Sequence, residues 1–318
     1  DASSKFFTKL KGLDSKLKGD DQLLYQVLLG EFFSDYYNQN QWSINQRTNI
    51  NSDDLSAVET WSKLDFKNYL SQHFQNLDKK RLDLQKIPMS KYKSIFEGTE
   101  DLDYFPTLFD WNAMNEIQFY GNSQLFTPNE LKVNKPKIAN LYTELIQKNT
   151  GNAKLYFQHQ KLNDDCELSK CKDKFKQLEK LVEDESTTGD YKVNIVAEIM
   201  DILTAKGDYK LALIWANDAK EKFPKSKFLN NIQNRENTIL QPTLTIHFEN
   251  QTLANLPIHL VAEAKSVSKF SLNIYEVKDD QQNFLRYVAN PYQKENFAMV
   301  KKTLVRKETF DLQDLKDY

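Results

Sequence analysis

The sequence predicts an α+β multidomain protein in which an all-helical array precedes a small, incomplete antiparallel β-sandwich. Through residues 1–240, apolar residues recur at the spacing of a helix face. After residue 240 they alternate with polar residues at a period of two, as on a half-buried strand. Because the strands follow the helices without alternating with them, we predict separate domains at 1–150 (helical), 151–239 (helical repeats) and 240–318 (β).

The first helices follow from apolar stripes and from residues suited to helix ends. A broad apolar stripe predicts a helix over 20–37, and a polar loop rich in Asn, Gln and Ser follows over 38–52. Asn51, Ser52 and Asp53 offer N-cap side chains for a long helix that reaches residue 75. Prolines then mark the starts of three shorter helices: Pro88 for one to Phe96, Pro106 for 107–120, and Pro136 for 137–148.

Residues 191–224 form the clearest internal unit of the chain. A helix runs through about Ala205, a turn at 206–208 contains Gly207, and a second helix ends before Pro224. Small residues stand where the two helices approach each other, at Ala212, Ala216 and Ala219. With Tyr209 at the elbow, this order of residues is typical of a tetratricopeptide repeat.

Neighbouring segments extend this unit into an array. A degenerate unit precedes it at 153–163 and 171–185, and a further helix at 226–238 follows it as a cap. Because a helical repeat buries its apolar face only against a neighbour, we expect the upstream helices to continue one curved array.

Strands are predicted beyond Pro242, where the pattern changes abruptly. The alternating segments are 243–248, 258–264, 270–277, 284–289 and 297–305, separated by Asn-, Asp- and Pro-containing turns. Thr309–Tyr318 supplies no closing element to this sheet. We therefore expect the chain to be cut within a larger protein.

Composition excludes several classes of function. With 8 glycines in 318 residues there is no Gly-rich phosphate cradle, and a net charge of −2 argues against a nucleic-acid partner. No H-E-x-x-H, G-x-S-x-G, Walker A or G-x-G-x-x-G motif occurs, and no apolar run is long enough to span a bilayer. We therefore expect no cofactor and no catalytic residues.

The four histidines do not form a metal-binding pattern. His73 and His159 lie singly on predicted helices, where a histidine is usually packed or at the surface. His247 begins an H-x-E sequence with Glu249, but the P-C-x-x-C of zinc deaminases does not follow. His259 is placed one strand along, where it can neighbour His247 across a sheet, yet two histidines without a third ligand predict no metal site.

The two cysteines, Cys166 and Cys171, leave two interpretations open. Their C-x4-C spacing has no second Cys or His pair nearby, so a zinc site is not indicated. Two independent thiols are the favoured interpretation. The alternative is a local disulfide in an oxidising compartment.

Several stretches together resemble a known family. These are 23–48 (LLYQVLLGEFFSDYYNQNQWSINQRT), 53–70 (DDLSAVETWSKLDFKNYL), 106–120 (PTLFDWNAMNEIQFY), the tetratricopeptide-like unit and 270–277 (FSLNIYEV). Their order resembles the N-terminal part of large α2-macroglobulin-family proteins of Bacteroidetes-type bacteria, in which a long helical region precedes the first macroglobulin-like β domain, MG1. The resemblance covers most of the chain. It depends on the combination and order of these segments, because none of them is a signature of the family by itself.

The resemblance implies an exported protein of the periplasm or outer cell envelope, with a lipid anchor preceding this chain as its only attachment to a membrane. Family members trap proteases through a cleaved bait region and a C-x-E-Q thioester. Neither Cys166 nor Cys171 stands in that sequence, and a bait segment would lie beyond Tyr318. We therefore predict a non-enzymatic scaffold with a partial MG1-type sandwich, whose partners are proteases met through the full-length protein or other envelope proteins.

Two other functions stay open. One is a stand-alone tetratricopeptide-type adaptor that binds a protein or peptide in the periplasm, which the unit at 191–224 suggests. The other is an envelope hydrolase or glycan-binding protein, because paired carboxylates cannot be told from surface ones by sequence. The latter depends on Trp42 in the polar loop, although Trp42 is better explained as an anchor of that loop against the helices.

Overall fold

The computed structural model describes residues 9–10, 12–49, 55–96, 103–169, 173–248, 259–265, 267–278 and 300–312, and the single residues 285, 289, 295 and 298. Within these residues the chain is mostly helical and carries two small antiparallel sheets of two strands each. The coarse prediction of helices followed by strands is therefore confirmed.

The helices of the first part are α1 to α7. They run over Gly19–Ile44 (α1), Lys63–Asp78 (α2), Arg81–Leu84 (α3), Leu108–Gly121 (α4), Pro128–Lys148 (α5), Gly151–Ser169 (α6) and Lys174–Glu183 (α7). Two 3₁₀ turns, Leu55–Thr60 and Met89–Tyr92, lie between them.

An aromatic core holds α1, α2 and α4 together. Phe33, Trp61, Phe66, Phe74 and Phe119 are all at most 1 % exposed. The Trp61 and Phe66 ring centroids lie 5.2 Å apart, as do those of Phe74 and Phe119. The burial of each ring stabilises the fold by about 1.5–3 kcal/mol. The predicted apolar stripes thus form the core of these helices.

Three predicted helix boundaries are wrong, each for an identifiable reason. The polar segment after residue 37 is helical to Ile44, because Tyr37 and Ile44 are both buried and extend the apolar stripe. The helix predicted over 53–75 is broken at Ser62, which caps α2, while the proposed cap at 51–53 lies outside the described residues. Pro136 lies inside α5 rather than at a helix start.

Capping boxes determine where α2, α4 and α5 begin. In each box a hydroxyl accepts from the backbone N–H three residues later, and the acidic side chain there accepts from the backbone N–H of the cap. The pairs are Ser62 with Asp65, Thr107 with Asp110, and Thr127 with Glu130. Because each box satisfies two otherwise unbonded N–H groups, it stabilises its own helix start.

The helices of the later part follow the predicted pattern closely. They are α8 (Lys192–Ala205), α9 (Tyr209–Lys222) and α10 (Leu229–Leu240). Gly207, between α8 and α9, has φ +80°, a left-handed conformation that favours glycine. Ala212, Ala216 and Ala219 are buried on α9.

Contacts divide the chain into two compact units. One comprises Asp1–Ile199 with Phe223–Phe228, and the other Met200–Lys222 with Leu229–Tyr318. The second unit holds all four described strands.

The strands pair in two hairpin-like sheets. β1 (Thr243–Phe248) pairs with β2 (Leu260–Lys265), and β3 (Lys269–Val277) pairs with β4 (Lys302–Asp311). The strands predicted at 243–248, 258–264 and 270–277 correspond to β1, β2 and β3. The register of β3 with β4 shifts between Ile274 and Tyr275.

The other strand predictions are corrected where residues are described. Leu285, Ala289 and Ala298 are helical, so strands at 284–289 and at the start of 297–305 are wrong there. Thr309 belongs to β4, whereas 313–318 lie outside the described residues. A period of two over a short segment does not by itself separate strand from helix.

Candidate functional site

A cleft lies between α4, α5 and α6, and we refer to it as the α4–α6 cleft. Its volume is about 290 Å³, close to the lower end of the range for ligand pockets. The lining residues come from the second half of α4 and its C-cap, the first two thirds of α5 and the second half of α6: Met114, Ile117, Gln118, Gly121, Asn122, Leu131, Lys135, Ile138, Tyr142, Gln160, Asp164 and Glu167.

The cleft has an apolar floor and a polar rim. Met114 and Ile117 on α4 are 6 % and 3 % exposed, and Leu131 and Ile138 on α5 are half-buried beside them. The exposed polar side chains of Gln118, Lys135 and Glu167 stand around this floor. Such a combination can bury an apolar group while polar contacts orient it.

Asp164 is the most deeply placed charged group of the cleft. The buried hydroxyl of Tyr142 donates to its Oδ2 at 2.6 Å, whereas Oδ1 has no hydrogen-bond partner among the described residues. Burial raises the pKa of the Asp164 carboxyl, and the nearby Glu167 and Asp165 carboxylates raise it further. A positive charge beside Oδ1 would relieve this repulsion.

The sequence places α5 and α6 side by side through a tight connection. α5 ends at Lys148, and Asn149 donates its side-chain amide to the Leu145 carbonyl and to Asp110 Oδ1, at 2.9 and 2.8 Å. Gly151, at φ +56°, starts α6 in a left-handed conformation. The antiparallel helices bring Tyr142 opposite Asp164.

A half-buried ionic cluster, with Glu116 as its one fully buried member, joins the helices around α4 and α5. Lys137 Nζ contacts Glu116 Oε1 at 2.5 Å and Asp78 Oδ2 at 3.2 Å. Arg81 bridges Asp78 and Glu144 at 2.6 and 2.7 Å. The Glu116 side chain is 1 % exposed, and burial raises its pKa to about 7 although Lys137 acts in the opposite direction. These side chains join α2, α3, α4 and α5.

His159 belongs to a second buried network. Its Nε2 lies 2.6 Å from Glu198 Oε2 and its Nδ1 lies 3.1 Å from the Tyr191 hydroxyl, while Lys174 contacts the other oxygen of Glu198 at 2.5 Å. Burial acts to raise the pKa of Glu198, but hydrogen bonds from His159 and Lys174 outweigh it and lower the pKa to about 2. His159 is 5 % exposed, so both ring nitrogens are engaged inside the helical stack.

The other histidines are not brought together into a site with His159. His73 is buried on α2, with Nε2 at 2.8 Å from the Gln26 carbonyl oxygen, and burial lowers its pKa. His247 lies opposite Val261 in the register of β1 with β2, whereas His259 precedes β2 and lies outside that register. No group of three or more His, Cys, Asp or Glu side chains suited to a metal occurs among the described residues.

Cys166 and Trp42 differ from their predicted roles. Cys166 is buried and disulfide-bonded, so the favoured interpretation as a free thiol is wrong for it, while Cys171 lies outside the described residues. Trp42 is 78 % exposed on α1, so it does not anchor a loop. None of the described helices is long and apolar enough to cross a membrane.

Sequence reasoning missed the cleft and the ionic cluster. Asp164 and Tyr142 carry no motif, and only their tertiary placement marks them. The contact of Lys137 with Glu116 likewise joins two helices. A weak signal existed in α5, where Leu131, Lys135, Ile138 and Tyr142 share one face at helical spacing.

Comparisons with known proteins give no relationship on which to base a function. Neither a scan against protein-family models, nor a search of curated proteins, nor a search of solved structures found a match to this chain.

Proposed function

We propose that this chain is a non-enzymatic interaction scaffold that binds protein partners. The observation that carries the proposal is the α4–α6 cleft, a concave surface with an apolar floor and with an Asp164 carboxylate whose Oδ1 is unbonded among the described residues. Mostly apolar concavities with a few oriented polar groups are the usual form of a binding site. The half-buried carboxylate of Glu198 and the buried Tyr191 hydroxyl both contact the buried His159 ring, which favours a structural role for the three side chains.

The family-level part of the proposal rests on the order of segments in the sequence. The chain would be the N-terminal helical region of a large envelope α2-macroglobulin-like protein, a protease-trapping inhibitor or defence factor, with repeats of the tetratricopeptide type and a macroglobulin-type sandwich after them. Two findings support this: helices are followed by antiparallel strands, and Cys166 is disulfide-bonded. Disulfides persist in oxidising compartments such as the periplasm, which supports export.

Photocrosslinking tests the scaffold role. A photoreactive amino acid replaces Gln118, which is exposed at the rim of the cleft, or Gln72, which is exposed on α2 and does not line it. In the source cells, we expect irradiation to join a protein to the chain substituted at Gln118 and not to the one substituted at Gln72. Equal labelling at both positions, or labelling at neither, would contradict a protein-binding cleft.

Protease challenge tests the family-level proposal separately. The longer polypeptide that contains this chain is mixed with a broad-specificity protease, and activity on a small peptide is compared with activity on a large protein. Trapping predicts that only the activity on the large substrate falls. Full activity on both would remove the inhibitor proposal and leave the scaffold role untouched.

A stand-alone adaptor of the tetratricopeptide type is the second candidate. The observation that favours it is the helix–turn–helix of α8 and α9, with Gly207 at positive φ and a stripe of buried alanines on α9. A single stoichiometric partner recovered with the 37.3 kDa chain alone would favour this reading. If a photoreactive residue on α9 crosslinks to the partner and one at Gln118 does not, the partner binds at the repeat.

A further inference from the structure

We propose that the α4–α6 cleft receives a lysine side chain of the partner protein, with its ammonium group at Asp164 and its alkyl stem on the apolar floor. The inference rests on the proposed scaffold function and names what the cleft recognises. Three features of the cleft support it: the position of its charges, the hydrogen bonding of the Asp164 carboxylate, and the size of the cavity.

The sign of the ligand's charge follows from the position of the cleft's own charges. Asp164 is half-buried and lies beside the buried Tyr142, whereas Lys135 and Glu167 are exposed at the rim. Asp164 also has two acidic neighbours on α6, Asp165 and Glu167, and one basic neighbour, Lys161, whose ammonium is ion-paired with Asp165. Glu167 has no ion pair among the residues that the structure describes. The deepest charge that a ligand meets is therefore negative, and the local field favours a cation.

An ammonium fits this carboxylate better than a guanidinium. Tyr142 donates to Oδ2 of Asp164 at 2.6 Å, and Oδ1 has no partner within the described part of the chain. A guanidinium achieves its strongest contact with two parallel hydrogen bonds to both oxygens of a carboxylate, whereas an ammonium is a compact charge that needs one. Glu167, three residues along the same helix, can accept a second hydrogen bond from the ammonium.

The floor and the volume suit an unbranched alkyl stem. Met114, Ile117 and Leu131 offer apolar surface, and long cationic side chains bury their methylene groups along such a surface while the charge meets a polar group. A cavity of about 290 Å³ admits one side chain and not a folded segment. The occupant is therefore one lysine of a protein partner, held at an exposed position of that partner.

Methionine methyl NMR provides the test. The chain has 4 methionines, of which Met114 lines the cleft, while Met89 and Met200 are buried elsewhere and serve as internal references. The full chain, labelled at the methionine methyl carbons, is titrated with N-acetyl-lysine methylamide and with its norleucine and arginine counterparts. We expect a saturable shift of the Met114 resonance with the lysine compound, and a weaker affinity for the other two.

Matched substitutions locate the charge. Asp164→Asn keeps an acceptor for Tyr142, so the fold is retained, and we expect the affinity for the lysine compound to fall about tenfold. Asp165→Asn removes the same charge from the neighbouring residue, which does not line the cleft, and should change the affinity less than about twofold. Glu167→Gln should give an intermediate loss.

The outcomes separate this inference from the scaffold proposal. Norleucine binding as tight as lysine, or an Asp164→Asn chain that binds lysine unchanged, would overturn lysine recognition. An unmoved Met114 resonance with every compound would overturn it as well. Crosslinking at Gln118 that persists in either case would leave the scaffold function standing.

Discussion

Glu116→Gln should make the chain less sensitive to pH between about 4.5 and 7. Glu116 is 1 % exposed at its side chain and contacts Lys137 at 2.5 Å within the ionic cluster. Glutamine has nearly the same shape and cannot ionise. Lys137 keeps Asp78 at 3.2 Å and the ring of Tyr120 at 4.0 Å as partners after the substitution, so the cation is not left alone.

The size of the effect follows from the pKa of Glu116, which burial raises from 4.5 to about 7. Below pH 4.5 the carboxyl is protonated in both the folded and unfolded chain. Between 4.5 and 7 only the unfolded chain loses the proton, so the free energy of unfolding falls as pH rises. A shift of this size corresponds to about 3 kcal/mol at neutral pH, at about 1.4 kcal/mol per pH unit.

Urea unfolding followed by tryptophan fluorescence measures this effect at several pH values from 4.5 to 8. The unfolding free energy of the Glu116→Gln chain, minus that of the wild type, should rise by about 3 kcal/mol over this range. Gln118→Ala, a non-ionising change on the exposed side of the same helix, serves as the control and should give a constant difference. A constant difference for Glu116→Gln as well, or one that falls with pH, would refute the assigned role of Glu116.

Three further substitutions test local features of the fold. Thr107→Ala removes the hydroxyl that accepts from Asp110 N–H at the start of α4, and should cost about 1 kcal/mol of unfolding free energy in urea; no loss would mean that water caps this helix equally well. Gly30→Ala places a methyl group 3.0 Å from the His73 ring, and should lower the thermal midpoint through a cost of about 1–3 kcal/mol; an unchanged midpoint would show that the ring moves aside freely. Gly207→Ala meets open space but forces alanine to φ +80°, so calorimetry should show a loss of about 1 kcal/mol, and a gain would contradict the left-handed turn.

The presence of the helices could be predicted from the sequence, because the spacing of apolar residues along the chain shows which face of a helix is buried. The stripe over 20–37 and the segment 107–120 correspond to α1 and α4. The helix–turn–helix around Gly207 could be predicted in the same way. A glycine at the turn and small residues on the facing helix are signals that lie close together in the sequence. Alternation likewise predicted β1, β2 and β3, where polar and half-buried residues share each strand.

Helix boundaries are harder to predict from the sequence, because a proline can lie inside a helix as well as at its start. Thr127 and Glu130 stand three residues apart ahead of an apolar stripe, which is the local signal that starts α5. Pro136 is exposed within α5, where the helix accommodates it at the cost of one backbone hydrogen bond. Ser62 and Asp65 carry the same signal for α2.

The cleft and the ionic cluster could not be read from the sequence, because their members meet only after the helices pack. Tyr142 and Asp164 are 22 residues apart, and Arg81 and Glu144 are 63 apart. Neither pair has a spacing that distinguishes it from surface residues. The oxidation state of Cys166 could not be predicted from the sequence either, because the spacing of Cys166 and Cys171 is compatible with two thiols and with a disulfide.

The most direct measurement is the size of the native protein in its own cells. An antibody raised against this chain is used to blot an envelope fraction, with a cytosolic fraction beside it. A scaffold region of an exported α2-macroglobulin-like protein predicts a band in the envelope fraction several times heavier than 37.3 kDa. A band near 37.3 kDa, or one confined to the cytosol, would contradict that account and favour the adaptor.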